Sequence, residues 1–299
     1  SVSSVSNNTQ GPNSDSLPPP QSPARETVRM FFRNYAAVGG AIMLFLMVAL
    51  TLFGPYVYTT DPFDIVWAPL SPPGTEGLLL GTDYLGRDVF AGIVHGGRAT
   101  LAVGVSAALL TVLIGITIGA LSGFYRGWVD DVLMRITEFF QVLPTLLFAM
   151  VLVGLFGASL QMIAIAIGVV SWTSVARLTR AEFLKLRELE YVKAARSLGA
   201  ANDRIMWRVI LPNALPPLIV QSALIVGVAI LFEAGLSFLG LGDPNVMSWG
   251  LMIGSNRESI FDAWWGVTFP GLIIFLTVLS ISLVGDGLND ALNPKLRER

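Results

Sequence analysis

Long stretches without a charged residue constrain this chain more than any other feature. Five such stretches occur, at residues 34–60, 99–125, 139–176, 209–232 and 263–285. A helix needs ~20 apolar residues to span a bilayer, and each stretch is long enough. The stretch at 139–176 is too long for one helix, and Gly157-Ala158-Ser159 at its middle offers a turn between two. The sequence therefore predicts six transmembrane helices, at about 36–58, 100–124, 139–157, 159–176, 213–236 and 264–285.

The composition excludes several classes of function. Only 13% of the residues are charged, against about 25% in soluble domains, which again indicates a membrane protein. With no cysteine and a single histidine, His95, no disulfide, metal site or catalytic triad built on these residues is expected. The three lysines follow Leu, Val and Pro, so the Gly-Lys-Ser/Thr of a P-loop is missing. We therefore expect neither ATP binding nor enzymatic activity in this chain, and the net charge of −2 does not suggest nucleic acid as a partner.

The placement of lysine and arginine predicts the orientation. If the N-terminus is cytoplasmic, all but three of the 19 basic residues lie on the inner side, the exceptions being Arg87, Arg98 and Arg257. Cytoplasmic loops carry such an excess, so both termini are expected to be cytoplasmic. The segments outside the spans are then a disordered, basic cytoplasmic tail at 1–33, an extracytoplasmic loop at 59–98, a cytoplasmic loop at 177–212 and a cytoplasmic tail at 289–299.

The cytoplasmic loop carries a helical pattern. Small or apolar side chains recur at helical spacing at Tyr191, Ala194, Ala195 and Leu198. Gly199 can end this helix because glycine tolerates a positive φ. The small side chains would let another backbone approach this face closely.

A second short helix is expected directly after the first. Asn202 or Asp203 can cap its beginning, and Pro212 is expected to end it. Together the two segments predict a helix–turn–helix on the cytoplasmic surface. The alternative is an ordinary basic loop that rests on the lipid headgroups.

Several motifs resemble bacterial ABC-importer permeases. Lys193-Ala194-Ala195, Gly199 and Ile210-Leu211-Pro212 are similar to the Glu-Ala-Ala loop motif of that family, with Lys in place of Glu. Further motifs resemble its dipeptide/oligopeptide/nickel branch: Leu80-Gly81-Thr82-Asp83, Leu85-Gly86-Arg87-Asp88, Leu236–Gly242, Ser248-Trp249-Gly250 and Gly285-Asp286-Gly287-Leu288. The resemblance, to the second or C-type permease subunit of dipeptide and oligopeptide transporters, runs from about Arg29 to Lys295.

The resemblance implies an all-α, polytopic membrane protein with a type I ABC-importer permease core at 99–288, in the bacterial cytoplasmic (inner) membrane. In that family the cytoplasmic loop couples the permease to an ATPase, which here assigns coupling to Glu190, Tyr191, Lys193, Ala194, Ala195, Gly199, Ile210 and Pro212. The implied partners are a second homologous permease subunit, two ABC ATPase subunits that hold ATP and Mg, an extracytoplasmic substrate-binding protein and the lipid bilayer. The implied activity is translocation of di- or oligopeptides by alternating access, with nickel or another small solute as the alternative cargo and no cofactor in this chain.

Two features inside the predicted spans have competing interpretations. Glu233 is the only acid well inside a span, near the outer face, where it has either a pore or substrate role or a hydrated, partnered structural role. Gly115, Gly119 and Gly123 line one face of the second span, which packs either within this subunit or against the partner permease. A secondary transporter driven by an ion gradient would show paired intramembrane charges or broken helices at mid-depth, of which the sequence shows few. A membrane scaffold protein would leave the patterned loop unexplained.

Overall fold

The computed structural model describes residues 22–293, and most of them are helical. The helices of the first half are α1 (Pro23–Arg33), α2 (Tyr35–Val57), α3 (Val89–Tyr125), α4 (Gly127–Val142), α5 (Thr145–Phe156) and α6 (Leu160–Ser171). Those of the second half are α7 (Thr173–Leu186), α8 (Glu190–Ser197), α9 (Asn202–Arg204), α10 (Leu211–Phe238), α11 (Trp249–Asn256) and α12 (Trp265–Leu292). A π-helical segment, Ile205–Ile210, joins α9 to α10. The predicted all-α class is confirmed for this part of the chain.

Four helical units are long and apolar enough to cross a membrane by themselves: α2, α3, the continuous run Asn202–Phe238 and α12. Two further units are bent pairs, with an angle of 87° between α4 and α5 and 45° between α6 and α7. If each bent pair is one span, the residues described form six spans, which is the number that the sequence predicts.

Three of the predicted spans differ from the structure, one in where it begins and two in their continuity. The second span begins at Val89 rather than about residue 100, because Asp88 caps it by accepting a hydrogen bond from the Phe90 amide (3.0 Å). The predicted helix 139–157 is interrupted, since Pro144 has no amide hydrogen and holds Leu143 in an extended conformation. The predicted helix 159–176 is bent at Trp172, between α6 and α7.

The predicted tails also need correction. Part of the disordered tail predicted at 1–33 is the helix α1, which begins with Pro23 after the Ser22 cap. The C-terminal tail predicted from residue 289 begins later, because α12 continues to Leu292. Residues 1–21 and 294–299 of these two tails lie outside the described residues.

The glycine face of α3 packs against α7. A Cβ atom on Gly115 would lie 2.5 Å from Cβ of Val175, and one on Gly119 would lie 2.3 Å from the carbonyl oxygen of Ala176. On Gly123 it would lie 2.7 Å from the carbonyl oxygen of Arg180. In lipid, where no hydrophobic force draws helices together, such close backbone approach is a main source of packing energy. Packing within this subunit is therefore the correct interpretation of the three glycines.

The loop between α2 and α3 is folded rather than extended. Gly81 and Gly86 have φ values of +78° and +88°, and a Cβ at either position would clash with the backbone of residues 67–73. Asp83 accepts a hydrogen bond from Arg87 Nε at 2.7 Å, and the indole of Trp265 donates to the carbonyl of Thr82 at 2.8 Å. The loop is thereby fixed to the beginning of α12.

Candidate coupling site

The helix predicted in the loop at 177–212 is α8. Its last turn closes when the Leu198 amide donates to the Ala194 carbonyl at 3.1 Å and the Ala200 amide donates to the Ala195 carbonyl at 3.2 Å. Gly199 has a φ of +82°, a conformation that residues with a side chain rarely adopt. The helix and the glycine turn that the sequence predicts are thus both present.

The apolar pattern of α8 faces away from the rest of the chain. Tyr191 is 40% exposed, Leu198 is 89% exposed, and Ala194 is exposed as well. Ala195 is half-buried at the edge of this face. The side chain that holds α8 to the protein is Val192, which is 1% exposed. The surface made of Tyr191, Ala194, Ala195 and Leu198, called here the α8 outer face, is thus available to another protein.

The second predicted helix differs from expectation. Ala201 occupies the N-cap position, without a side-chain cap, so neither Asn202 nor Asp203 caps the helix. Pro212 does not end it either, since helical structure continues without a break from Asn202 to Phe238. Pro212 lies in the first turn of α10, where the preceding π-helical turn accommodates its missing amide hydrogen.

This arrangement separates the eight coupling candidates into two groups. Glu190, Tyr191, Lys193, Ala194 and Gly199 are exposed on or next to α8, and Ala195 is half-buried there. Ile210 is fully buried, so it cannot contact another chain directly. Pro212 is exposed but belongs to the beginning of α10.

A hydrophobic core lies beneath α8 and joins it to three other parts of the chain. Val192 belongs to a cluster of buried residues that includes Phe124 at the end of α3, Phe183 in α7, and Ile205 and Met206 in the π-helical segment. The loop is consequently packed onto one end of the spanning helices through a shared buried core.

Arginine side chains surround Phe124. Arg187 donates from Nη1 to the Phe124 carbonyl at 2.6 Å, and its guanidinium carbon lies 5.9 Å from the centre of the Phe124 ring. The guanidinium carbon of Arg196, on α8, lies 5.8 Å from the same ring. Burial, followed by the charge of nearby Arg126, lowers the pKa of Arg187, although an arginine stays charged at neutral pH.

An ion pair between Arg180 and Asp130 joins α7 to α4. Arg180 donates from Nε and Nη2 to the two carboxylate oxygens of Asp130, at 2.7 and 2.8 Å. Ser122 of α3 also donates to Asp130. Paired hydrogen bonds of this kind fix the orientation of both groups, so α3, α4 and α7 meet at one point.

Glu233 is buried, which contradicts the hydrated surroundings expected for it. Only 1% of the residue is exposed, and its Oε1 accepts hydrogen bonds from Ser237 at 2.9 Å and Ser248 at 3.2 Å. Gly250 packs closely against its Oε2, since a Cβ added to Gly250 would lie only 2.6 Å from that oxygen. Oε1 thus has two hydrogen-bond partners, whereas Oε2 is buried without one among the described residues. The hydrated surroundings expected for Glu233 are therefore wrong, while its pore or substrate role stays a prediction.

Sequence reasoning missed the residues that anchor the loop. Val192 falls outside the apolar pattern of α8, and a single valine among charged neighbours gives no helical signal of burial. Phe124 and Arg187 lie at the ends of helices that are distant in sequence, so their contact has no signature in one sequence. Within the described part of the chain, no three His, Asp or Glu side chains come together as a candidate metal site.

Comparison with known proteins agrees with this architecture. Residues 115–298 match the family model described as binding-protein-dependent transport system inner membrane component. Residues 22–73 match the N-terminal TM domain of oligopeptide transport permease C. One chain of the MetNI methionine ABC transporter in inward-facing conformations has a TM-score of 0.56 and 19% identity, covering 68% of this chain and 96% of that chain, which shows a shared fold.

Curated relatives match over nearly the whole chain. The di/tripeptide transport system permease protein DppC of Pseudomonas aeruginosa (strain UCBPP-PA14) is 42% identical, covering 92% of this chain and 93% of the relative. The dipeptide transport system permease protein DppC of Bacillus subtilis (strain 168) is 38% identical, covering 93% and 88%. The glutathione transport system permease protein GsiD of Pectobacterium atrosepticum is 37% identical, covering 93% of each. The chain therefore belongs to the family of binding-protein-dependent transport system inner membrane components, the permease subunits of ABC importers.

Proposed function

We propose that this permease subunit imports di- or oligopeptides by alternating access, together with a second homologous permease subunit. Two ABC ATPase subunits supply the energy and hold the ATP and Mg, and an extracytoplasmic protein delivers the substrate. The names of the relatives support the cargo, since two of those compared are dipeptide or di/tripeptide permeases at 42% and 38% identity. The chain itself is proposed to bind no cofactor and to catalyse no reaction.

The exposed α8 outer face is the observation that carries the coupling proposal. Leu198 is 89% exposed, and burying a leucine side chain releases about 1.5–3 kcal/mol, so this face gains stability when a groove covers it. We propose that an ATPase subunit supplies that groove. The anchoring of α8 by Val192 lets a bound ATPase move the ends of the spanning helices rather than only the loop.

Replacing Ala195 by glutamate tests the proposal. A charged side chain at the edge of the α8 outer face prevents close approach, while the spans remain unchanged. We expect Ala195→Glu to reach the membrane in normal amounts but to fail in peptide uptake, with the ATPase either lost from the complex or hydrolysing ATP without transport.

The matched control is Ser197→Glu, which places the same side chain on another exposed face of α8. It should keep both the ATPase and uptake. Normal uptake in Ala195→Glu, with the ATPase still bound, would show that α8 is not the coupling element.

The proposed orientation, with both termini cytoplasmic, has an independent test. A reporter fused after Arg299 should be found in the cytoplasm, and one inserted near Gly74 should be external, because six spans lie between inside termini. Gly74 is exposed, and a Cβ added to it would have no atom within 4 Å, so the insertion does not disturb the loop core. Both reporters on the same side of the membrane would contradict the six-span topology.

A further inference from the structure

Two side chains of α8, Val192 and Arg196, connect it to the spanning helices. Val192 packs with Ile205 and Met206, in the segment that leads directly into α10. Arg196 places its guanidinium carbon 5.8 Å from the ring of Phe124, in the last turn of α3. A displacement of α8 can therefore be communicated to α10 through Val192 and to α3 through Arg196.

Phe124 is buried and is fixed by contacts with two neighbouring residues, so a displacement of its ring moves the end of α3. Its side chain is 3% exposed, and its ring meets that of Tyr125 edge to face, with 5.1 Å between ring centres. The carbonyl of Phe124 lies in the last turn of α3, where a helix has no amide left to donate to it. Arg187 Nη1 donates a hydrogen bond to this carbonyl instead, at 2.6 Å. The positive charge of Arg187 is also favourable at the C-terminal end of the helix dipole.

The charges around the ring explain why Arg196 is positioned there. Arg126 and Arg187 are both close to Glu188, with nitrogen–oxygen distances of 3.9 and 3.5 Å. Arg196 has no such acidic partner among the ion pairs of residues 22–293, and its contact is with the Phe124 ring. A guanidinium over an aromatic face is attracted by the electrons of the ring, which an uncharged aliphatic neighbour would not reproduce.

We infer that the Arg196–Phe124 contact transmits the motion of α8 to the second span, with Arg187 fixing Phe124 in place. Phe124 is thus a positioning residue for coupling, distant from the α8 outer face and from any substrate. This inference rests on the proposed function of α8 as the docking helix.

The test separates assembly from coupling by measuring peptide uptake per ATP hydrolysed in the complete transporter, reconstituted with its ATPase and binding protein. Phe124→Leu keeps an apolar side chain in the core but removes the ring, and Arg196→Gln keeps the ring but removes the charge. We expect both variants to retain the ATPase and to lose about two- to fivefold in uptake per ATP, the size of one cation–π contact. Phe124→Trp, which keeps an aromatic face, should retain more of the ratio than Phe124→Leu.

The outer end of α10 provides a matched control. There Arg257 donates to the carbonyl of Phe238, as Arg187 does at Phe124, and its guanidinium carbon lies 5.7 Å from that ring, but Phe238 is 47% exposed. Phe238→Leu should leave uptake per ATP unchanged.

The outcomes distinguish this inference from the proposal on which it rests. A wild-type ratio in Arg196→Gln overturns the inference, and because Arg196 is exposed this variant is informative even if Phe124→Leu fails to fold. If Ala195→Glu abolishes coupling while Arg196→Gln does not, the docking role stands and only the contact with Phe124 is excluded. If Ala195→Glu transports normally, the docking role itself is wrong.

Discussion

Replacing Glu233 by alanine removes a carboxylate that links α10 to the beginning of α11. Oε1 of Glu233 accepts hydrogen bonds from Ser237, one turn further along α10, and from Ser248, which precedes α11. Ser248 also accepts a hydrogen bond from the Leu251 amide at 3.0 Å, so the cap of α11 survives the substitution. The perturbation is therefore confined to the contact between the two helices.

The expected cost follows from these two hydrogen bonds. Hydrogen bonds between side chains in membrane proteins contribute about 0.6 kcal/mol on average and at most about 1.7 kcal/mol. Two of them amount to ~1–3 kcal/mol, and the space left by the side chain adds to the loss. Removing a carboxylate that is 1% exposed also removes its desolvation cost, which acts in the opposite direction. We expect a net destabilisation of ~1–2 kcal/mol.

Thermal unfolding of the purified complex, measured beside peptide uptake, checks this prediction. Glu233→Ala should lower Tm, and uptake per folded complex should remain close to wild type. Ser222→Ala is the control, since the hydroxyl of Ser222 donates only within α10, to the Leu218 carbonyl at 2.7 Å. An unchanged Tm together with lost uptake would refute the structural role and favour a pore or substrate role for Glu233.

Two further predictions concern packing and pH. Gly119→Ala places a Cβ 2.3 Å from the carbonyl oxygen of Ala176 and should cost ~1–3 kcal/mol of stability. Gly154→Ala, whose Cβ would have no atom within 4 Å, should leave Tm unchanged in the same measurement. Equal changes in Tm for the two variants would contradict the packing of α3 on α7. Burial and the hydrogen bond to Asp88 raise the pKa of Tyr58 from 10.0 to about 12, so the unfolded chain loses its proton first and Tm should fall as the pH rises from 10 to 12. A scan of Tm against pH should show a smaller decline for Tyr58→Phe, and an equal decline would exclude Tyr58 as its source.

The spans and the helix α8 were predictable because their signals are local. A stretch without charged residues that is long enough to cross a bilayer identifies a span from the sequence alone, as it does for α2 and α12. The helical spacing that ends at Gly199 likewise identifies α8 and its turn. In both cases the residues that carry the signal are also the residues that form the structure.

Other features depend on contacts between distant residues, so the sequence does not reveal them. Pro212 was expected to end a helix, but the π-helical turn before it lets the helix continue into α10. Glu233 was expected near water, yet Gly250, from a separate helix, closes over it. The beginning of α3 at Val89 is an exception, because the sequence does contain a local signal for it: Asp88 is a residue type favoured at the N-cap of a helix.

The glycine face of α3 determines how this permease can move. Helices slide past each other only if interlocked side chains can exchange neighbours, and at Gly115, Gly119 and Gly123 the atoms of α7 already occupy the positions of the absent side chains. The close fit at these three positions opposes shear between α3 and α7, so the two helices are expected to move together. A hinge for alternating access is then expected at the bend at Pro144 between α4 and α5, because the other bend, at Trp172, itself packs against Gly115.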